Sequence, residues 1–211
     1  MILTRTHLNI RRPGARKLIG SPQAMHAAVM SGFPPGVDPG RPLWRVDLDD
    51  PLRPTLFVVS PTRPDMTHLE EQAGWPSAPT TVSAPYTLLL DALEVGQQWA
   101  FRLTANPTHR ATIDGVQKVL AHVTVAQQTA WLVSRQEALG VSLGDADQPT
   151  FHLTGREVRR FRRDTSTVTL ARATFDGTLT VTDPDLLRTA LTAGVGRGKA
   201  YGCGLLTLAR P

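Results

Sequence analysis

The chain has 211 residues, a formal net charge of +5 at pH 7 and a single cysteine, Cys203. One cysteine excludes an internal disulfide and suits a reducing cytoplasm, and no apolar run reaches the ~18 residues that a membrane span requires. Because there is no CxxC pair, HExxH motif or carboxylate cluster, we expect no metal site and no cofactor. The composition therefore predicts a cytoplasmic protein that does not contact a membrane.

The first part of the chain predicts a strand followed by a helix. Residues 2–10 alternate in the manner of a strand. Ser21 is a suitable N-cap, Pro22 fits the first helical turn, and Gly32 can end the helix. The following segments are predicted as strands at 43–46 and 55–59, a proline-rich loop at 61–80, and either a strand or a linker at 82–90.

A second cycle of the same elements begins at Gln98, where apolar and polar residues alternate as far as Ala105. Thr124 and Gln127 have the spacing of a capping box and predict a helix. The dipeptide Asp176-Gly177 predicts a tight hairpin between two strands. The other segments are predicted as strands around 151–158, 167–175 and 178–182, a last helix from Asp183 to Gly194, and a strand over 205–208.

The order strand-helix-strand-strand-helix-strand thus occurs twice. It predicts an α+β fold of two tandem ferredoxin-like (βαββαβ) domains. We place the N-terminal domain at residues 1–93 and the C-terminal domain at residues 94–211. The C-terminal domain is expected to carry a basic β-hairpin and a C-terminal glycine-rich loop.

Positive charge is concentrated in three segments of the chain. Residues 1–37 hold five cations and no acid, residues 186–211 hold four cations and no acid, and residues 155–163 hold five arginines and one glutamate. A solvated surface normally mixes both signs, so this segregation predicts a polyanionic partner whose phosphates contact clustered arginines. The arginines expected to contact nucleic acid are Arg11, Arg12, Arg156, Arg159, Arg160, Arg162, Arg163 and Arg197.

The run from Gly194 to Gly204 holds five glycines and two cations within eleven residues. A nucleotide loop of the Walker or Rossmann kind needs a strand before the glycines and a helix after them, whereas here the predicted order is reversed. We therefore favour a loop that lies against a nucleic-acid backbone, and a nucleotide-dependent enzyme is the alternative. The loop residues expected to contact the backbone are Gly194, Gly196, Arg197, Gly198 and Lys199.

Five motifs occur in an order and spacing that carry a family resemblance. They are Ser21–His26, Phe101–Pro107, Ala130–Leu132, Glu157–Arg160 and Gly194–Leu206. With these motifs the sequence resembles the CasE family of CRISPR repeat-cleaving endoribonucleases. The resemblance implies two ferredoxin-like domains that bind the repeat hairpin of pre-crRNA, cut it at the 3′ base of the stem without metal, and keep the hairpin as the 3′ handle of the mature crRNA. It also implies partners in the Cascade complex, including the backbone subunit, and no DNA contact of its own.

The resemblance selects His26 as the catalytic residue among the six histidines of the chain. In metal-free cleavage the ribose 2′-OH attacks phosphorus and leaves a 2′,3′-cyclic phosphate and a 5′-OH, and histidine can transfer either proton. The family often has a tyrosine three residues before this histidine, where the present chain has Gln23. Glutamine is neither acid nor base, so the second proton transfer is unassigned, with Gln23 and Lys199 as candidates for catalytic support. A non-cleaving, hairpin-binding subunit of the same fold is the alternative function.

Overall fold

The computed structural model describes residues 1–36, 38–76, 79–145, 147–163 and 166–211, except the side chains of residues 162, 163 and 166. These residues form two compact units. The first comprises Met1–Ala92 and Lys199–Gly202, and the second comprises Leu93–Gly198 and Cys203–Pro211. Within the described residues, no helix has the length and apolar character needed to cross a membrane.

The first unit packs four strands with four helices. The strands are β1 (Ile2–His7), β2 (Leu43–Asp47), β3 (Thr55–Ser60) and β4 (Thr81–Pro85). The helices are α1 (Pro13–Gly20), α2 (Pro22–Met30), α3 (Thr67–Ala73) and α4 (Thr87–Asp91). The strands pair antiparallel in the order β2-β3-β1-β4, which is the strand order of a ferredoxin-like sheet.

Helix α2 begins and packs as the sequence predicts. The Ser21 hydroxyl accepts a hydrogen bond from the Ala24 N–H at 3.2 Å, and Pro22 occupies the first turn. Met25 and Val29, one turn apart, are buried in a core that also contains Leu56 of β3. Burying each such side chain contributes about 1.5–3 kcal/mol. This buried face fixes the rotation of α2 about its own axis.

Two segments of the first unit differ from or extend the sequence prediction. The predicted loop at 61–80 is wrong at Thr67–Ala73, which forms α3. Its last carbonyls are bound by the Arg12 guanidinium, a tertiary contact that sequence periodicity does not reveal. The segment at 82–90, left undecided between strand and linker, divides between β4 and α4.

The second unit has a similar plan with several added elements. Its strands are β5 (Gln98–Ala105), β6 (Thr108–Ile113), β7 (Val116–Ala121), β8 (Val141–Ser142), β9 (Phe151–Arg163), β10 (Ser166–Val181) and β11 (Leu206–Ala209). Its helices are α5 (Val125–Val133), α6 (Gln136–Leu139) and α7 (Pro184–Ala193). The main sheet has the order β11-β5-β10-β8, and β9 also pairs with β10. The α+β class predicted from the sequence is therefore confirmed.

The helix caps predicted in this unit are present. The Thr124 hydroxyl and the Gln127 side chain form a reciprocal capping box at the start of α5. The Asp183 carboxylate accepts hydrogen bonds from the first turn of α7, and Gly194 ends that helix with φ +76°. Local side-chain chemistry sets these boundaries, and so they could be read from the sequence.

The predicted hairpin at Asp176-Gly177 is wrong, because β10 continues through both residues. The Asp176 carboxylate pairs with the Arg102 guanidinium on the adjacent strand β5, at 2.6 Å and 2.9 Å. Gly177 lies so close to the Phe151 backbone that a Cβ would overlap it. Cross-strand contacts therefore override the turn propensity of this dipeptide.

A tight hairpin does form elsewhere, where no element was predicted. Strands β6 and β7 pair only with each other among the described strands, as a separate two-stranded sheet. They are joined by Asp114 and Gly115, both with positive φ, +54° and +75°. Two successive positive φ values are characteristic of a type I′ turn. This hairpin is an insertion between the first strand and first helix of the unit.

Candidate nucleic-acid interface

His26 lies on α2, on the side that the core leaves accessible. Gln23 is exposed and His26 is half-buried, three residues later on the same side of the helix. The Nδ1 atom of His26 is shielded from solvent. Both residues follow the Ser21 cap closely, so they lie in the first and second turns, near the positive end of the helix dipole, which favours an anion.

The part of the glycine-rich run that belongs to the first unit contacts the same helix. Lys199–Tyr201 forms a 3-10 turn that packs against α2 and β2. Burial lowers the pKa of Lys199, and the positive charge of Arg41 lowers it further. These two cations repel each other and together create a positive local potential, which a phosphate would neutralise.

This turn is held in place through Gly202. Its backbone has φ +76°, which L side chains rarely adopt, and a Cβ added there would lie 2.6 Å from Cζ3 of the Trp44 ring. Trp44 is itself part of the buried core. The close approach of backbone to ring therefore requires glycine, and it fixes the turn that carries Lys199.

The rest of the glycine-rich run belongs to the second unit. The Val195 N–H donates to the Gly204 carbonyl at 2.8 Å, which closes the loop, and the Gly204 N–H donates to the Thr104 carbonyl of β5 at 2.7 Å. Arg197 is exposed and bridges to Asn106 through the backbone. All five glycines of the run have positive φ: Gly194, Gly196, Gly198, Gly202 and Gly204. Helix α7 precedes the loop and β11 follows it, the reverse of a nucleotide-binding loop.

The two arginines of the first basic segment that were predicted to contact nucleic acid differ in their surroundings. Arg11 is exposed in the turn before α1. The Arg12 guanidinium donates to the carbonyls of Glu70 and Gly74 at 3.3 Å and 3.2 Å, and also to the Glu71 carbonyl. Arg12 therefore satisfies the C-terminal carbonyls of α3, a structural role that the sequence did not indicate.

The arginines of β9 also differ in their partners. Arg156 donates to the Gln128 amide oxygen at 3.0 Å and to the Val123 carbonyl, so it ties β9 to α5. Arg159 forms an ion pair with Glu157 at 2.7 Å. Arg160 is exposed. Arg162 and Arg163 close the strand, and their side chains lie outside the described part of the structure.

Arg41 is a charged residue near the candidate site that the sequence reasoning missed. It lies in a proline-rich stretch outside the three basic segments, and only the fold places it close enough to lower the pKa of Lys199. Among the described residues, no three His, Cys, Asp or Glu side chains cluster closely enough to hold a metal ion.

Known proteins resemble this chain over nearly its whole length. A family model described as "CRISPR associated protein" matches residues 1–210. The CRISPR-associated endoribonuclease Cse3 of Thermus thermophilus is 33% identical over 219 residues, covering 99% of this chain and 100% of that protein. The CRISPR system Cascade subunit CasE of Escherichia coli is 28% identical over 182 residues, covering 79% of this chain and 88% of that protein.

A solved structure agrees with these sequence matches. The structure of Thermus thermophilus Cse3 bound to an RNA representing a pre-cleavage complex superposes with a TM-score of 0.80 and 31% identity, over 99% of this chain and 98% of the other. The agreement in sequence and in fold extends over both units. The chain therefore belongs to the CasE family of CRISPR-associated proteins.

Proposed function

We propose that this protein is an endoribonuclease that processes CRISPR RNA. It binds the stem-loop of the repeat in pre-crRNA and cuts at the 3′ base of the stem without a metal ion. Support comes from the Thermus thermophilus relative, which is named an endoribonuclease and has been solved with an RNA that represents a pre-cleavage complex.

The observation that carries the catalytic proposal is the packing of the Lys199–Tyr201 turn against α2 within one compact unit. A histidine-bearing helix and a turn that carries a partly buried lysine thus pack together within one unit, which supports the proposal. Histidine supplies proton transfer near neutral pH, and a fixed cation stabilises charge that develops on phosphorus. Cleavage by an internal ribose nucleophile needs these two functions.

In the proposed reaction the ribose O2′ forms a bond to phosphorus and the bond from phosphorus to O5′ breaks. One group takes the proton of the 2′-OH, and another gives a proton to the departing O5′. His26 performs one of these transfers. Lys199 stabilises the negative charge of the phosphorane and is the candidate for the other transfer, since its lowered pKa eases proton release. Gln23 orients the phosphate through its amide.

We assign the RNA backbone to the exposed cations and to the glycine loop. Arg11, Arg160 and Arg197 are accessible to phosphate, and Arg159 exchanges its Glu157 partner for RNA. Arg12 and Arg156 keep their structural roles. Further proposed contacts are Arg162, Arg163 and the loop glycines Gly194, Gly196 and Gly198. The hairpin then stays bound, in the cytoplasm, as the protein joins the Cascade complex through its backbone subunit. The name of the Escherichia coli relative supports a place in Cascade.

Single-turnover cleavage of a repeat hairpin in EDTA tests this function. The parent protein is expected to cut once per hairpin and to leave a 2′,3′-cyclic phosphate and a 5′-OH, both identifiable by mass spectrometry. His26→Ala should cut about 10²–10⁴ times more slowly and bind the hairpin as tightly. His152→Ala, which removes an exposed histidine of the second unit, is the matched control.

Two results would contradict the proposal. If His26→Ala cuts as fast as the parent, another group performs the proton transfer. If the parent binds the hairpin and never cuts it, with or without added divalent ions, the protein is the non-cleaving RNA-binding subunit considered from the sequence.

A further inference from the structure

The second unit contains an open cleft of about 630 Å³, which the sequence reasoning did not anticipate. One wall is the β6–β7 hairpin, the opposite wall is α5, and Gly196 and Arg197 of the glycine loop form the remaining side. Its volume lies within the range of about 300–1,000 Å³ that small-molecule pockets have. The cleft can therefore hold a group of the size of one nucleotide.

The lining of the cleft is strongly positive. Arg110, Arg135 and Arg197 all contribute to it, and none of the described lining residues is an aspartate or glutamate. The Arg135 guanidinium lies 4.0 Å from the centre of the Trp131 ring, and its Nη1 donates to the Trp131 carbonyl at 2.7 Å. This arginine is thus held in one orientation, and burial lowers its pKa. An anion would neutralise the positive charge that these three guanidinium groups bring to the cleft.

Two buried polar atoms of the lining lack partners. No described residue forms a hydrogen bond with Nε1 of Trp131 or with Nδ1 of His122. Trp131 is only 4% exposed, and leaving such a donor unpaired costs free energy. Gly196 approaches the Cζ2 side of the indole, which is the side that carries Nε1. The unpaired donor therefore lies on the edge of the ring near the loop.

Aromatic groups complete the cleft. The rings of His109 and His122 lie 4.6 Å apart with a tilt of 34°. Burial and the neighbouring His109 and Arg135 lower the pKa of His122, which favours its neutral form. His109 is exposed, and it offers a flat face at the mouth of the cleft. Flat rings beside arginines are the usual setting for an unstacked RNA base.

We propose that this cleft binds one unpaired nucleotide of the RNA strand that flanks the repeat stem. The arginines hold its phosphate, Nε1 of Trp131 donates to it, and the base stacks on the imidazole pair. This inference rests on the proposed function, and it adds a second recognition element that reads single-stranded RNA. A duplex is disfavoured, since a base that remains paired and stacked cannot enter a concave site of this size.

The test compares RNA ligands that differ only in their flanks. One is a blunt repeat hairpin, and two others carry unpaired repeat nucleotides on the 5′ side or on the 3′ side, with a 2′-deoxy group at the scissile position to prevent cleavage. Arg110→Ala and Arg135→Ala should weaken binding of one flanked hairpin by about tenfold or more. Affinity for the blunt hairpin should change less than about twofold. Arg210→Ala replaces an exposed cation outside the cleft, and it should change the affinities for the blunt and the flanked hairpins by the same factor.

Several outcomes would overturn the inference. Equal losses on blunt and flanked hairpins would mean that the cleft contacts the duplex. Unchanged affinities, or flanks that add nothing to binding by the parent protein, would mean that no RNA nucleotide enters. Arg110 is exposed, so its variant keeps the test valid if Arg135→Ala unfolds. Failure of the proposed function would be seen separately, because the parent protein would then either bind none of the hairpins or leave the cleavable hairpin uncut in the single-turnover assay.

Discussion

Replacing Gly202 by alanine is expected to destabilise the first unit and to slow RNA cleavage. An added Cβ would lie 2.6 Å from Cζ3 and 3.0 Å from Cη2 of Trp44. The Trp44 side chain is 4% exposed and belongs to the core, so it cannot turn away without opening other contacts. Either the ring or the turn that carries Lys199 must move.

The size of the effect follows from two separate costs. Alanine in the left-handed region costs about 1–2 kcal/mol, and forcing a methyl group into a packed site costs about 1–3 kcal/mol. Together they predict a loss of about 2–5 kcal/mol in the free energy of unfolding. Gly96 provides a matched control, because its φ is +86° and no heavy atom lies within 4 Å of an added Cβ. Gly96→Ala should show only the backbone cost.

Urea denaturation followed by far-UV circular dichroism measures both losses, and single-turnover cleavage measures the functional effect. The difference between the two variants isolates the contact with Trp44, about 1–3 kcal/mol. Gly202→Ala should also cut more slowly than Gly96→Ala, since the turn that it displaces holds Lys199. If the two variants unfold within about 0.5 kcal/mol of each other and cut at the same rate, the ring does not constrain the turn.

Three further predictions concern single side chains. Lys199→Met should slow cleavage and raise the unfolding temperature slightly. The folded-state pKa of this lysine is lowered, so keeping it charged costs stability at every pH below that pKa. A fall in unfolding temperature for Lys199→Met, with no change for the exposed control Lys118→Met, would contradict this prediction. Burial raises the pKa of the Cys203 thiol to about 11, so at pH 8 an aromatic disulfide reagent should react only with unfolded protein. Rapid labelling of the native protein would contradict this prediction. Asp47→Ala should lower the free energy of unfolding in urea by about 3–5 kcal/mol, because Arg45, which is 1% exposed, would lose the carboxylate that lies 2.6 Å away. A loss below about 1 kcal/mol would show that water reaches Arg45.

The two Asp-Gly dipeptides show which parts of the fold the sequence could predict. Both have the same intrinsic preference for a tight turn. Among the described strands, Asp114-Gly115 has no cross-strand partners beyond its own hairpin, and it forms a turn. Asp176-Gly177 is instead held straight by Arg102 and by the Phe151 backbone. Helix caps depend on neighbours in the chain and were predicted correctly. The extended strand at Asp176 depends on Arg102, which lies 74 positions away in the sequence, and local patterns do not record such contacts.

The same distinction applies to the candidate site. Clustered arginines predict a phosphate-binding surface, yet composition does not distinguish Arg11, which is exposed, from Arg12, whose guanidinium binds the end of α3. The contribution of Arg41 depends on its distance from Lys199 in space, and nothing in the local sequence of either residue indicates it. The residue types of a site can thus be predicted, while their individual roles require the fold.

The division of the chain has a consequence for the timing of synthesis. Lys199–Gly202 belong to a unit whose other residues all precede Leu93. At about 5–20 residues per second, a ribosome makes Lys199 roughly 10–35 s after His26. A nascent chain therefore holds the histidine helix long before the lysine turn exists. On the proposed assignment, a partly made chain therefore lacks one of its two catalytic groups until the last part of its synthesis.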